Sequence, residues 1–259
     1  FQNLRSNSLL DTQNLDFRNN LFVADPPIAQ PFPCGARCSN NLFFGMPAQG
    51  TDALTANGAP VETLDARGLW VLPGFVQSHI HLCQTLLRNG PDALELLPWL
   101  RSHVWPGEAA HDASTLEVSA RLGLAELLAG GTTSLLDMGT VRHTDAIFRA
   151  ARDMGARVIS GNALMDDPTT NPRELFAETE EGLAETQRLF ATWHGAADGR
   201  LGVAYCPRFA VSCTERMLRE VAVRARRDGL LVHTHASENR GEIELVHSRT
   251  GLSNIRALD

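Results

Sequence analysis

Two histidines separated by one residue end an apolar run in the first third of the chain. The run extends from Pro73 through Phe75 and Val76 to His79 and His81. In a β-strand, side chains two residues apart point to the same face, so His79 and His81 are predicted to converge on one point. Neutral imidazole binds zinc and other borderline divalent metals, so this spacing predicts part of a metal site.

A catalytic zinc site usually has about three protein ligands and one water, so a further ligand is expected elsewhere in the chain. A second apolar run begins at Leu230, contains His233 and His235, and is followed by Glu238. A divalent metal held by such histidines lowers the pKa of a bound water toward neutrality, and that water needs a nearby base. Glu238 is the candidate for this catalytic acid/base.

The elements that would position these residues follow a regular pattern. From Leu69 onward, short apolar runs alternate with longer amphipathic segments, which is typical of repeated strand-helix units and a parallel sheet. Five strands are predicted, at residues 70–76, 132–137, 157–162, 201–205 and 230–235.

Helix boundaries between these strands carry local signals. Ser114 with Glu117, and Ser212 with Glu215, have the spacing of capping boxes that begin a helix. Glycines stand before the next apolar run, where a left-handed C-terminal cap is needed: Gly130, Gly131, Gly155 and Gly229.

Reactive groups in parallel α/β folds collect at the carboxyl ends of strands. His81, His235, Arg208 and Asp137 all lie at or just beyond predicted strand ends. A doubly wound open sheet and a TIM-type barrel both fit this pattern. Because no glycine-rich phosphate loop follows the first strand, and histidines from two strands converge, the sequence favours the (β/α) barrel.

The first 60 residues differ from the rest, being rich in Asn, Pro and Gly with little periodicity. We predict a loop-rich N-terminal segment at 1–60 and a barrel domain at 61–259; strands of a small sheet, a leader or disordered sequence are the alternatives for the first. Cys34 and Cys38 have the spacing of half a structural zinc site. Since no second pair stands at suitable spacing, free thiols are favoured.

Composition disfavours several classes of partner. The formal net charge is −7, with 23 Lys and Arg against 30 Asp and Glu and no basic block, so a nucleic-acid partner is not expected. No apolar segment approaches the ~18 residues of a membrane span, and the polar start does not resemble a secretory signal. The five scattered cysteines argue against a disulfide scaffold, and a cytoplasmic protein is predicted.

Taken together, these motifs resemble the amidohydrolase superfamily, in its branch of cytosine/guanine deaminases and triazine chlorohydrolases. The likeness runs from about residue 61 to residue 259. It is carried by the segments 64–68, 71–76 with the two histidines that follow, 126–133 and 233–238.

The resemblance implies a metal-dependent (β/α)8 barrel with a small β-sandwich built from sequence on both sides of it. By position, His79 and His81 match the ligands of the first strand, His235 matches the ligand of the fifth, and Glu238 matches the proton-carrying acid/base. His233 is then a supporting residue. The family's histidine on the sixth strand and aspartate on the eighth have no counterpart, because only about five strand-helix units are present, so a C-terminally truncated chain with a partial sandwich is expected.

Residues after the fourth predicted strand, and in the long segment between the first and second predicted strands, bear on substrate binding. Pro207-Arg208-Phe209 resembles a segment of guanine deaminases in which arginine and phenylalanine hold the purine. Arg208 paired with a surface carboxylate is the alternative. Trp99 and Trp105 either wall the pocket or pack in the core. Structural or solvated roles are expected for Asp137, His103, His111 and His143.

The resemblance implies a hydrolase acting on carbon–nitrogen bonds other than peptide bonds. The first hypothesis is a deaminase of a small aminated heterocycle, a guanine-like base or an adenosine-like nucleoside, with one divalent metal, zinc ahead of iron. A triazine chlorohydrolase or aminohydrolase is the runner-up, because the same nucleophile can displace chloride. A truncated, catalytically silent barrel fragment is the third hypothesis. The resemblance also suggests homodimers.

Overall fold

The computed structural model describes residues 16–18, 21–23, 37–39, 42–44, 73–90 and 93–258. The chain divides into two compact units, Phe1–Phe75 and Val76–Asp259. Among the described residues of the first unit, four three-residue strands form two parallel pairs: β1 (Asp16–Arg18) with β3 (Arg37–Ser39), and β2 (Leu21–Val23) with β4 (Leu42–Phe44). The boundary at residue 60 and the partial β-sandwich stay predictions, and Cys34 lies outside the described residues.

A four-stranded sheet, with parallel pairing from β6 onward, organises the second unit. Its strand order is β5 (Phe75–Ile80), β6 (Thr132–Asp137), β7 (Arg157–Ser160) and β9 (Leu201–Val203). Beyond its carboxyl end, β8 (Ala163–Leu164) pairs in parallel with β10 (Cys206–Pro207). The predicted α/β class with a parallel sheet is confirmed, and a closed eight-stranded barrel stays a prediction.

Helices alternate with these strands. They are α1 (Leu96–Trp99), α2 (Trp105–Ala109), α3 (Ala113–Ala129), α4 (Asp145–Asp153), α5 (Thr179–Trp193), α6 (Glu215–Asp228), α7 (Arg240–Thr250) and α8 (Asn254–Leu258). Other helical segments are the 3-10 helices Leu82–Leu87 and Arg173–Leu175, the π-helical segment Leu100–Val104 and the turn Ala196–Gly199. Within the described part of the chain, no helix is both long and apolar enough to cross a membrane.

Two large apolar clusters hold the second unit together. The larger lies between the sheet and its helices and includes Leu124, Phe148, Val158 and Leu183, all with no exposed surface. Each such side chain contributes roughly 1.5 to 3 kcal/mol by its burial. The smaller cluster packs the excursion after β5 against the ends of later strands, joining Leu100, Trp105, Met165, Phe209 and Val246. This second cluster fixes the walls of the site described below.

A close approach of two backbones explains why two strands end earlier than predicted. A Cβ at Gly161 would lie 2.1 Å from the carbonyl oxygen of Ala204, so only glycine fits there. Regular pairing therefore stops at Ser160 on β7 and at Val203 on β9, instead of reaching residues 162 and 205. Parallel pairing resumes after Gly161 and Ala204, between β8 and β10.

The first and last predicted strands are also shifted. The first was expected at residues 70–76, but β5 runs from Phe75 to Ile80 and carries the strand through His79; residues 70–72 lie outside the described part. The last was expected as a strand at 230–235 but makes only two isolated parallel bridges, Val232 with Tyr205 and His235 with Phe209. Because the neighbouring strand is interrupted, a continuous ladder does not form.

Both predicted capping boxes are wrong by two residues. Helix α3 is capped by Asp112, whose carboxylate accepts the N–H groups of Ser114 and Thr115 while the Thr115 hydroxyl accepts the Asp112 N–H. Helix α6 is capped by Thr214, which accepts the N–H of Met217. In each case another residue that favours the cap position competes with the serine: Asp112 lies two positions before Ser114, and Thr214 lies two positions after Ser212. The left-handed glycines are confirmed at Gly131, Gly155 and Gly229, whereas Gly130 has a negative φ.

A buried carboxylate ties three strand ends together. Asp137 ends β6 with no exposed surface and accepts hydrogen bonds from the Leu82 N–H (2.7 Å) and the Ser160 hydroxyl (2.6 Å). Burial raises the pKa of Asp137 to about 6, although these two hydrogen bonds act in the opposite direction. The folded protein therefore binds this proton more tightly than the unfolded chain, so stability falls as pH rises from about 4 to about 6 and stays lower above that.

The variant Asp137→Asn keeps the shape and removes this pH-dependent cost. We expect the free energy of unfolding of the variant to gain on that of the wild type by on the order of 3 kcal/mol between pH 4 and pH 7. Urea unfolding of both proteins at each pH, with a chelator present throughout, measures the difference. A difference that does not change with pH, or that falls as pH rises, would contradict this account of Asp137.

Candidate metal centre

Three of the predicted site histidines meet at the carboxyl end of the sheet. The Nε2 atoms of His81 and His235 lie 3.0 Å apart, and those of His235 and His79 lie 3.2 Å apart. Within the described residues, these three form the one cluster of His, Cys, Asp or Glu whose ligand atoms could share an ion, all within 4.8 Å of one another. Three nitrogens of a tetrahedral zinc site would stand about 3.3 Å apart, given Zn–N bonds of about 2.0 to 2.1 Å.

The other ring nitrogens determine which tautomer each histidine adopts. Nδ1 of His81 lies 3.0 Å from the carbonyl oxygen of Met138, and Nδ1 of His235 lies 2.6 Å from that of Arg208. A carbonyl oxygen only accepts, so both Nδ1 atoms carry the hydrogen and both Nε2 atoms present a lone pair. Two lone pairs 3.0 Å apart repel each other unless a cation lies between them.

A proton is a poor candidate for that cation. Burial lowers the pKa of His81 well below its ordinary value, and the positive charge of Arg208 acts in the same direction. Burial likewise lowers the pKa of His235 to about 4 and lowers that of His79. At neutral pH the rings are therefore uncharged, and their donor set fits a divalent metal that prefers imidazole nitrogen.

His233 supports this cluster from behind. Its Nε2 lies 2.8 Å from Nδ1 of His79, on the side of the His79 ring that faces away from the shared point. His233 is buried, and burial lowers its pKa to about 4. An uncharged His233 can accept the His79 N–H through this nitrogen, and with that tautomer the third Nε2 also presents its lone pair to the shared point.

A cavity of about 140 Å³ opens on the histidine cluster and collects the remaining predicted site residues. Glu238, Arg208, Phe209 and Trp99 all line it, although they come from three distant parts of the chain. The other lining residues are the three histidines, Gln84, Leu96 and Leu100. Burial, and the nearby carboxylate of Glu242, raise the pKa of Glu238 above its ordinary value, with Arg208 opposing them. A raised pKa lets a carboxyl both give and take a proton near neutral pH.

Arg208 does not pair with a surface carboxylate, which was the alternative considered from sequence. It is buried and makes a two-pronged ion pair with the fully buried Glu108, with Nη1–Oε2 at 2.6 Å and Nη2–Oε1 at 3.1 Å. Gln84 also donates to Glu108, at 2.8 Å. Sequence reasoning missed Glu108; the signal was a lone acidic residue in an otherwise apolar stretch after Trp105.

Two further histidines and the two tryptophans considered from sequence lie outside the cluster. His103 contacts the carbonyl oxygen of Leu87 and His111 that of Cys83, so both tie the excursion after β5 to neighbouring backbone. Trp105 is buried in the smaller apolar cluster, whereas Trp99 is partly exposed at the cavity. Asp137 lies beneath the site and holds the residue after His81.

Similar proteins are found both among curated sequences and among solved structures. A 5'-deoxyadenosine deaminase of Methanothermobacter thermautotrophicus is 34% identical over 196 residues, which are 76% of this chain and 44% of the relative. Among solved structures, a guanine deaminase of E. coli matches with a TM-score of 0.66 and 31% identity, covering 71% of this chain and 43% of that one.

An atrazine chlorohydrolase of Arthrobacter aurescens, solved in complex with zinc, matches with a TM-score of 0.65 and 23% identity, over 72% of this chain and 45% of that one. At that identity the likeness shows the fold alone. This chain thus spans less than half the length of each of these proteins. The family model for amidohydrolases matches residues 70–257, which include every predicted site residue. The chain therefore belongs to the amidohydrolase family.

Proposed function

We propose that this protein is a metal-dependent hydrolytic deaminase of an aminated purine base or nucleoside. The observation that carries the proposal is the convergence of three Nε2 lone pairs, from His79, His81 and His235, beside a carboxyl group of raised pKa. Such a set of groups is suited to activating water and moving a proton.

The three histidines are the proposed metal ligands. Three neutral imidazoles are a ligand set that zinc accepts and that ferrous iron also accepts, and zinc is our first choice. When bound, the metal supplies a water of lowered pKa as the nucleophile. The chain supplies the fixed ring orientations, through the carbonyl oxygens of Met138 and Arg208 and the ring of His233.

Glu238 is the proposed acid/base. It takes a proton from the attacking water, delivers it to a ring nitrogen of the substrate, and assists the departure of the exocyclic amine as ammonia. Its raised pKa supports both directions of transfer.

Arg208, Phe209 and Trp99 are the proposed contacts to the heterocycle. Glu108 engages one N–H from each terminal nitrogen of Arg208, and Nη1 also donates to the Met165 sulfur at 3.9 Å. The N–H groups that remain to meet a ring carbonyl or ring nitrogen are therefore those of Nε and the second one of Nη2. The buried Phe209 ring stands edge-on to His235, 6.5 Å between centroids, and Trp99 borders the same cavity. Aromatic walls with one charged donor suit a flat, polar ring.

The choice of substrate is supported by the relatives. The 5'-deoxyadenosine deaminase and the guanine deaminase are both about 30% identical to this chain, and both names describe removal of an amine from a purine. An adenosine-like nucleoside is our first choice and a guanine-like base our second. The atrazine chlorohydrolase shares the fold and leaves triazine chemistry as an outcome of the test.

A substrate panel tests the proposal directly. The full chain, loaded with zinc or ferrous iron, is incubated with 5'-deoxyadenosine, guanine and atrazine, and ammonia and chloride release are followed. We expect ammonia from an aminopurine, loss of that activity after chelation, and recovery when the metal returns. Chloride release from atrazine alone would establish the triazine alternative. Turnover that survives chelation, or a metal-loaded protein that turns over none of the three, would overturn the proposal.

The substitution Glu238→Gln separates proton transfer from metal binding. We expect turnover of the best substrate to fall by about 10²- to 10⁴-fold, which is the usual contribution of a general acid/base, while zinc content stays equal to that of the wild type. Glu244→Gln is the matched control, because Glu244 is exposed on helix α7. A Glu238→Gln variant with turnover within tenfold of this control would rule out the assigned role.

A further inference from the structure

A second glutamate lies directly behind the proposed acid/base. Glu242 is in the first turn of α7 and has no exposed surface. Its Oε2 accepts the backbone N–H of Glu238 at 2.7 Å, and its Oε1 accepts that of Ser237 at 3.3 Å. The side-chain amide of Asn254, at the start of α8, also donates to Oε1. The buried carboxylate of Glu242 thus accepts hydrogen bonds both from the turn that contains Glu238 and from the start of helix α8.

The turn it holds is one that the chain would not adopt unaided. Ser237 has φ of +61°, in the left-handed region that a residue with a Cβ rarely occupies. On the other side of Glu238, Asn239 is extended and caps α7 through the Gly241 N–H. Glu238 therefore stands between a left-handed residue and a helix cap, and its side-chain direction depends on both being kept.

Ordinary capping of the helix does not account for the contacts of Glu242. Glu242 is three residues after the capping Asn239, where a capping-box glutamate would reach back to the N–H of the cap residue itself. Here it reaches one and two residues further, to Glu238 and Ser237. A buried carboxylate is costly unless its oxygens are satisfied, and these contacts satisfy it at the acid/base turn and not at the cap.

We propose that Glu242 is a positioning residue for the reaction: by holding the Ser237–Glu238 amides it fixes the Glu238 carboxyl above the histidine cluster. The inference rests on the proposed function, since it assigns to Glu242 the placement of the group that moves the proton. The two carboxylates are also close enough to interact, and the charge of Glu242 helps to keep the pKa of Glu238 raised.

The variant Glu242→Gln tests this on the full, metal-loaded chain. It keeps the side-chain shape but replaces one of the two accepting oxygens by a donor. We expect kcat to fall at least tenfold with KM within twofold and metal content unchanged, because the substrate and metal contacts are untouched. Glu244→Gln on the exposed side of α7 is the control. Asn254→Ala, which removes only the outer support of Glu242, is expected to give a smaller loss of kcat.

Amide hydrogen exchange gives a readout that needs no turnover. In Glu242→Gln, the peptide containing Ser237 and Glu238 is expected to exchange at least tenfold faster than in Glu244→Gln, with the strands of the sheet unchanged. If the wild type proves inactive on every substrate, the proposed function fails. The exchange result still shows whether Glu242 holds the Ser237 and Glu238 amides. Unchanged exchange at Ser237 and Glu238, or a kcat for Glu242→Gln within twofold of the control, would overturn the role given to Glu242.

Discussion

Neutral imidazoles that face one another across 3 Å with bare nitrogens repel each other unless a positive charge lies between them. This constraint organises the site. The carbonyl oxygens of Met138 and Arg208 fix the hydrogens of His81 and His235 on their outer nitrogens, and His233 does the same for His79 when its Nε2 is the acceptor. The fold therefore holds three lone pairs on one point before any ion arrives. The cost of ordering these rings is met by folding, which leaves more of the binding free energy for the metal.

Three buried carboxylates support the elements that surround this point. Asp137 holds the backbone just after His81, Glu108 holds the guanidinium of Arg208, and Glu242 holds the turn at Glu238. A buried charge rarely adds to stability when compared with an apolar side chain of the same size. Their clustering around one cavity indicates that this part of the protein is built for fixed geometry and not for maximum stability.

The sequence predicted what depends on local periodicity. Two histidines at i and i+2 on a strand must share a face, and a parallel α/β pattern brings strand ends together, so the cluster of His79, His81 and His235 could be expected. What the sequence could not show was pairing over long distances. Glu108 and Arg208 are one hundred residues apart, and no local pattern predicts their ion pair. Glu242 resembled an ordinary residue in the first turn of a helix until the turn before it was seen.

The errors in element boundaries have specific physical causes. The sequence predicts helix caps at serines 114 and 212, but Asp112 and Thr214 cap the two helices instead. A tertiary contact holds Thr214 in that place, since its N–H and its hydroxyl donate to Asp166. Strands at residues 157–162 and 201–205 were predicted too long, because the contact between Gly161 and Ala204 depends on how the two strands approach each other. In the first unit, where no periodicity was found, the domain assignment stays a prediction.

The most direct test of the central claim is X-ray absorption at the zinc edge of the zinc-loaded protein. The account predicts about three imidazole nitrogens at about 2.0 to 2.1 Å, with the multiple scattering of histidine rings, and no sulfur neighbour. A first coordination sphere containing sulfur at about 2.3 Å, which would come from a cysteine, or one without imidazole scattering, would contradict it.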